Sequence, residues 1–263
     1  LKISNPKTGE FKGAITDNPD YEMQAYLGPN LGIFTPEDNV YLVSLIDDLG
    51  FCGIQTGNTL AFAAELYQRG ILSEEELDGI RLEWKNPKAF AELAKKIAKR
   101  EGIGNILAEG SYRAALELGK RKGMDLTPFV VHEKGMAIGA HGIRSGRDYP
   151  SNIAYACNVQ AGDHTSVASV PNGQDESELN DILHDSGVYC NFNTFSVDLN
   201  KIWDFFVAVT GLKAIRQKWY EMNGSRVLNL QRAMLLLGGP DLRWRANADD
   251  ENPPRFYEPL PSG

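Results

Sequence analysis

Helix punctuation constrains this chain more than any other feature. Thr35-Pro36-Glu37-Asp38 joins a capping hydroxyl to a proline preset for a first helical turn, with acids beside the positive end of the helix dipole. Val40, Leu42, Val43, Leu45, Ile46 and Leu49 follow at mostly helical spacing, and Gly50 ends the run. Asn58 or Thr59 is expected to open a second helix through Leu60, Phe62, Ala63, Leu66 and Tyr67, stopped at Gly70. Ser73-Glu74-Glu75-Glu76 has the form of a capping box. Asn86-Pro87 opens a stretch through Phe90, Leu93, Ala94 and Ile97, with Lys95, Lys96, Lys99 and Arg100 on its outer face and near its end. Further helices are expected over 105–120, 199–222 and 225–237. Strand signals are few, and Phe129-Val130-Val131-His132 is the best of them. The fold class that follows is mainly α.

The middle of the chain reads differently. From about Gly123 to Thr194 it is rich in Gly, His, Ser, Asn and Asp and has no long periodic runs. Loops of that length inside a compact protein usually carry function. All four histidines, His132, His141, His164 and His184, fall here with Cys157, Cys190, Arg144, Arg147 and Asp163. A basic, glycine-containing stretch near 120–126 marks a boundary. We therefore expect two helical domains, residues 1–124 and 125–263, with a loop-rich middle segment.

At 263 residues the chain can bury a large core. A net charge of −8 and a pI near 5.1 argue against nucleic acid or an anionic membrane as the main partner. No apolar run approaches the roughly 20 residues that span a bilayer, and no signal peptide is visible. Three cysteines, Cys52, Cys157 and Cys190, are too sparse for a disulfide framework and fit a reducing cytoplasm. Leu1 at the start, in place of Met, reads as an excised piece of a longer protein. There is no dinucleotide-binding Gly-x-Gly-x-x-Gly, no Walker phosphate loop and no Gly-x-Ser-x-Gly elbow. Cys-x-x-Cys is also absent, and three thiols cannot fill the four positions of a cubane iron–sulfur cluster.

Two segments echo each other: Asp47-Asp48-Leu49-Gly50-Phe51-Cys52 and Asp185-Ser186-Gly187-Val188-Tyr189-Cys190. Each places a carboxylate five residues before a thiol, with a glycine between, after an apolar stretch. An Asp at a helix end accepts hydrogen bonds, a glycine lets a ligand approach the backbone, and a thiolate binds soft metals. Paired in two halves of a chain, such elements can grip one large ligand from both sides. The same residues also read as two glycine-capped helix ends with a buried cysteine after each.

A longer ordered series carries a family resemblance. It runs from Tyr21-Glu22 and Leu27-Gly28-Pro29-Asn30-Leu31-Gly32-Ile33 through the first echoed motif to Thr56-Gly57-Asn58-Thr59-Leu60-Ala61-Phe62-Ala63. It continues with Arg100-Glu101-Gly102-Ile103-Gly104, Leu107-Ala108-Glu109-Gly110 and His132-Glu133-Lys134-Gly135-Met136. Ala154-Tyr155-Ala156-Cys157-Asn158, Gly162-Asp163-His164 and the second echoed motif complete it. In these residues the chain resembles the C-terminal, helical part of the tungsten-containing aldehyde:ferredoxin oxidoreductases.

The resemblance implies a tungsten ion held between two pterin dithiolenes (a tungstopterin), with a 4Fe-4S cluster close by, and a middle segment that faces this cofactor. Asp47 and Gly50 would serve one pterin, and Asp185 and Gly187 the other. Cys190 would be the last of four cluster ligands. The other three, with an N-terminal pterin-binding β domain, would lie ahead of the segment matching residue 1. The implied chemistry is oxidation of a small aldehyde to a carboxylic acid, with ferredoxin as electron partner; homo-oligomerisation is compatible with it. Glu22 corresponds to the family's active-site glutamate and His164 to its active-site histidine. His141 falls where a pocket tyrosine often sits, and His132 and His184 remain structural. Two departures stand out. The first motif ends in Cys52 where the family usually has Asp, so the thiol either approaches the cofactor or packs in the core. Gly187 sits one place early. A cofactor-free helical scaffold and a related enzyme reducing an acid or thioester are the alternatives.

Overall fold

A computed structural model of the chain describes residues 3–8, 11–13, 15–17, 19–140, 156, 159, 162, 175–190, 197–238, 244–245 and 249–259. It is mainly α. The described strands are two-residue pieces: β1 (Ile3–Ser4) pairs antiparallel with β2 (Thr16–Asp17), and β3 (His132–Glu133) with β4 (Met136–Ala137). The chain divides into two compact units, one of residues 1–142 with 253–263, the other of residues 143–252. No described helix is long and apolar enough to cross a membrane.

The first unit is built from α1 (Tyr21–Leu27), α2 (Pro36–Asp48), α3 (Gly53–Gln68), α4 (Pro87–Lys99), α5 (Gly104–Leu107) and α6 (Ser111–Lys122). Their apolar faces close on one core that includes Leu27, Leu42, Ile46, Leu60, Leu66, Phe90, Leu93 and Leu107, all at most 1% exposed. Asn86 caps α4 as its composition predicts, its side-chain oxygen accepting from the Ala89 N–H at 3.3 Å. The Ser73–Glu76 capping box forms with both reciprocal bonds, at 3.0 and 3.2 Å. The segment behind it is a run of turns.

Three elements differ from the sequence expectation. α3 begins at Gly53, well before Asn58 or Thr59. A Cβ at Gly57 would stand 2.8 Å from the Tyr26 carbonyl oxygen, so α1 crosses α3 at backbone contact. Asn58 then lies mid-helix, where its amide donates to the Val131 carbonyl at 3.0 Å and its oxygen accepts from the Ser111 hydroxyl at 2.6 Å. Tertiary packing and partnered polar groups override the weak helix propensity of this stretch. The expected helix over 105–120 is two pieces parted at Gly110, where φ is +84°. The expected strand at 129–132 is a 3₁₀ turn, Thr127–Phe129, followed by a hairpin that starts only at His132.

The second unit contains α7 (Asp175–Gly187), α8 (Leu199–Thr210), α9 (Ile215–Lys218), a π-helical turn (Trp219–Asn223) and α10 (Gly224–Leu237). The helix expected over 199–222 is broken at Gly211, whose φ is +71°. α7 falls inside the segment read as loop-rich. Its core is small, with Leu179, Ile182, Leu183, Trp203 and Trp219. The Trp219 indole N–H donates to the Leu179 carbonyl at 2.9 Å, so the ring is buried without an unpaired donor.

The β3–β4 hairpin carries a titration signature. His132 packs against Tyr112 with ring centroids 4.1 Å apart and the planes tilted by 46°, and its Nδ1 accepts from the Gly135 N–H at 3.2 Å. Burial pushes its pKa down to about 4, so the ring stays neutral in the folded protein. Below its unfolded value of about 6.5 the unfolded chain takes up a proton that the folded chain refuses. The stabilisation is thus full above that pH and is lost as pH falls towards 4. His132→Gln is expected to remove roughly 2 kcal/mol of the stability lost between pH 7 and 4.5. Urea unfolding at the two pH values measures it.

Candidate functional site

The two echoed motifs fold into the same backbone turn, each in its own unit. At the end of α2, the Gly50 N–H donates to the Asp47 carbonyl at 2.9 Å and the Phe51 N–H to the Ile46 carbonyl at 3.1 Å. At the end of α7, the Val188 N–H donates to the Asp185 carbonyl at 3.3 Å and the Tyr189 N–H to the His184 carbonyl at 3.0 Å. Both are the paired bonds of a Schellman ending, which needs one left-handed residue. That residue stands three places after each aspartate: Gly50 at φ +72° and Val188 at φ +54°. The early glycine in the second motif therefore leaves the turn unchanged and puts a β-branched residue into it. The left-handed region is unfavourable for such a residue. Val188 is 90% exposed.

Around the first turn Asp47, Asp48, Gly50 and Cys52 are all exposed. Nothing lies within 4 Å of where a Gly50 Cβ would be. Cys52 is the N-cap of α3 and its side chain makes no capping bond. One corner thus presents a carboxylate, an open backbone turn, a thiol and a helix start. Around the second turn Asp185 and Cys190 are exposed. His184 is buried beneath them, its Nδ1 3.2 Å from Asp185 Oδ1, and Tyr189 lies edge-on to it. Gly187 closes α7, and a Cβ there would meet Phe206 Cζ at 2.3 Å. The close approach at Gly187 is to a ring of its own unit. Neither Cys52 nor Cys190 is buried, which removes the reading of thiols packed in the core.

This donor set fits one edge of a pterin, whose ring N–H groups need acceptors and whose flat body needs an open backbone. It fits a cluster only as one thiolate of four, because no three His, Cys, Asp or Glu side chains gather into a metal site among the described residues.

Glu22 lies on α1, buried, and its Oε2 accepts the Ala140 N–H. One turn on, the Tyr26 hydroxyl donates to the Ile138 carbonyl. Burial pushes the Tyr26 phenol up to about 12; an Asn58 hydrogen bond opposes this and the charge of Glu22 adds to it. α1 therefore holds the backbone at 138–140 with two side chains spaced i, i+4. His141 and His164, like Cys157, Arg144, Arg147 and Asp163, lie outside the described residues. Sequence reasoning passed over Tyr26, whose only signal is its helical spacing from Glu22. It also missed Glu65 and Arg255, which meet across 190 positions.

Strain at the second turn is measurable. Val188→Gly is expected to stabilise the second unit by about 1 kcal/mol, and Gly50→Val to destabilise the first by about the same or more. Urea unfolding monitored by circular dichroism reads both.

Comparison with known proteins agrees with the ordered series of motifs. Residues 2–263 match the family model described as aldehyde ferredoxin oxidoreductase, domains 2 & 3. An aliphatic sulfonate oxidoreductase, WOR-like subunit, of Pyrococcus furiosus is 55% identical over all of this chain, which covers 42% of that protein. A tungsten-containing aldehyde ferredoxin oxidoreductase of the same organism is 32% identical over 98% of the chain and 43% of the relative. Its counterpart in Thermococcus kodakarensis is 29% identical over 95% of the chain and 43% of the relative. The chain thus spans about two-fifths of the length of the curated relatives it matches. It belongs to the aldehyde ferredoxin oxidoreductase family, in the part formed by domains 2 and 3.

Proposed function

We propose that this chain is the helical part of a tungstopterin iron–sulfur oxidoreductase that oxidises a small aldehyde to a carboxylic acid and passes the electrons to ferredoxin. The observation that supports this most is the pair of exposed Asp/Cys corners, one in each unit and each on a turn of the same type, in a chain of this family. In this reading Asp47, Gly50 and Cys52 line one pterin, and Asp185 and Gly187 the other. Cys190 supplies one thiolate to a 4Fe-4S cluster, and the remaining ligands come from a pterin-binding domain elsewhere in the protein. The tungstopterin these residues would hold would supply the two-electron acceptor for the conversion of aldehyde and water to acid and two protons. Glu22 holds or accepts a proton beside the reacting carbon, and His164 and His141 orient water and the carbonyl. The carboxylate of Glu22 is fixed through the Ala140 N–H, so its second oxygen has a set direction. We place the whole protein in the cytoplasm.

A second reading replaces the aldehyde with an aliphatic sulfonate, and the relative at 55% identity favours it. That relative is named a subunit, which supports assembly with further chains. Exposed Phe205 and Val209 on α8, and Leu230, Met234 and Leu237 on α10, leave apolar surface in the second unit for another part of the protein to cover.

Elemental analysis of the anaerobically purified native protein, with intact mass, is the test. About one tungsten and at least four irons per protein, in a mass well above 29.1 kDa, is the expected result. A protein of 29.1 kDa with neither metal overturns the reading and favours a scaffold. Cys190→Ser is expected to lower iron while tungsten stays bound; unchanged iron removes Cys190 from the ligand set. Product analysis with an aldehyde and an aliphatic sulfonate, each with ferredoxin, separates the two substrate classes.

A further inference from the structure

Ala140 supplies an N–H that the Glu22 carboxylate accepts, so the direction of that carboxylate is only as fixed as the backbone at 138–140. Three side chains of α1 and α3 tie this stretch down. Asn58 of α3 donates to the Val131 carbonyl at 3.0 Å, and Gln55 of the same helix accepts from the Ala137 N–H at 2.9 Å. Tyr26 of α1 donates its hydroxyl to the Ile138 carbonyl, two residues from Ala140. Of the three, Tyr26 holds the chain nearest to Ala140, and it stands on the helix that also carries Glu22.

On one side the stretch borders a cavity instead of packed side chains. Ile138, Gly139 and Ala140 line a space of about 430 Å³, whose walls include Trp84 and Phe129. Arg255 and Phe256, from the returning segment 253–259, complete it, and Arg255 forks onto Glu65 of α3 with both contacts at 2.7 Å. Atoms that border a cavity lack on that side the contacts of a close-packed core. The hydrogen bond to the Ile138 carbonyl supplies a constraint that packing leaves out there. A phenol suits the task. Burial pushes the Tyr26 pKa up to about 12, so its hydroxyl remains a donor throughout the neutral range.

We propose that Tyr26 is a positioning residue: by holding the Ile138 carbonyl it keeps the Ala140 N–H on the Glu22 carboxylate, and so aims that carboxylate at the reacting carbon. This rests on the reading of Glu22 as the group that holds or accepts the proton. Tyr26 itself gives up no proton and touches no substrate. Its effect on the reaction passes through the backbone at 138–140, and a misplacement of about 1 Å in a reacting group is enough to cost on the order of a hundredfold in rate.

The native protein, purified anaerobically, is compared with Tyr26→Phe, which removes the hydroxyl and keeps the ring. Hydrogen exchange, read by mass spectrometry on overlapping peptides, is expected to run at least about threefold faster at 138–140 in the variant and to stay unchanged over α4. The rate per bound tungsten is expected to fall about tenfold while KM stays within about twofold. A variant that is merely less stable yields less loaded protein but keeps its rate per tungsten. Unchanged exchange at 138–140 overturns the proposal, and so does faster exchange with an unchanged rate. The unsubstituted protein gives a check that needs no variant. Its Ala140 amide is expected to exchange at least about tenfold more slowly than in an unstructured peptide, and exchange at the free-peptide rate overturns the tether. Glu22→Gln separates this proposal from the reading beneath it, and is expected to lower the rate at least about a hundredfold. If it does so and Tyr26→Phe does not slow the enzyme, only the role of Tyr26 is wrong. If Glu22→Gln keeps the native rate, the assignment of Glu22 falls and this proposal falls with it.

Discussion

The first unit depends on how closely α1 and α3 approach each other. Gly57 has no side chain where the Tyr26 backbone passes, and Gly53 makes similar room for Met23. Close-packed interiors do not yield to an extra methyl at a backbone contact. From that crossing follow the placement of Glu22 and Tyr26 over 138–140 and the reach of Asn58 to Val131 and Ser111. The start of α3 at Gly53 follows too, which brings Cys52 to the exposed corner after α2. A helix beginning at Asn58 would leave none of these where they are.

How much of this was legible in the sequence depends on whether the cause is local. The start of α2 and the Asn86 cap of α4 were readable because proline and amide act within one turn, although the Thr35 hydroxyl, expected to cap α2, makes no capping bond. The capping box at Ser73 formed its bonds, yet the chain behind it stays in turns, since a cap satisfies backbone donors but does not bury an apolar face. α3 was read as starting too late because Gly53 and Gly57 look like breakers; their function is packing against α1, which lies far back in the chain. The strand at 129–132 was overestimated because apolar β-branched residues also suit a buried turn.

The candidate site was legible as composition and less so as geometry. Two Asp and Cys pairs were visible at a fixed spacing, and the structure adds that their turns share one hydrogen-bond pattern. No propensity argument would put Val188 in a left-handed position. It is held there because Asp185 and His184 carbonyls accept from the next two N–H groups while Gly187 is pressed against Phe206. Glu22 was singled out by resemblance alone, and its burial under Ala140 explains physically why a carboxylate at that position is fixed in direction.

The fork between Arg255 and Glu65 also sets an order of events in biosynthesis. The first unit is assembled from two stretches of chain, with the whole second unit between them. Helices α1 to α6 can pack as they leave the ribosome, because their contacts are local, whereas long-range contacts form late. The wall supplied by Arg255 and Phe256 cannot close until the intervening residues have been translated. Until then Glu65 is left with Arg69 alone, and Trp84 and Phe129 face solvent across an unfinished cavity. Of the two units, the one translated earlier is thus the later to be completed.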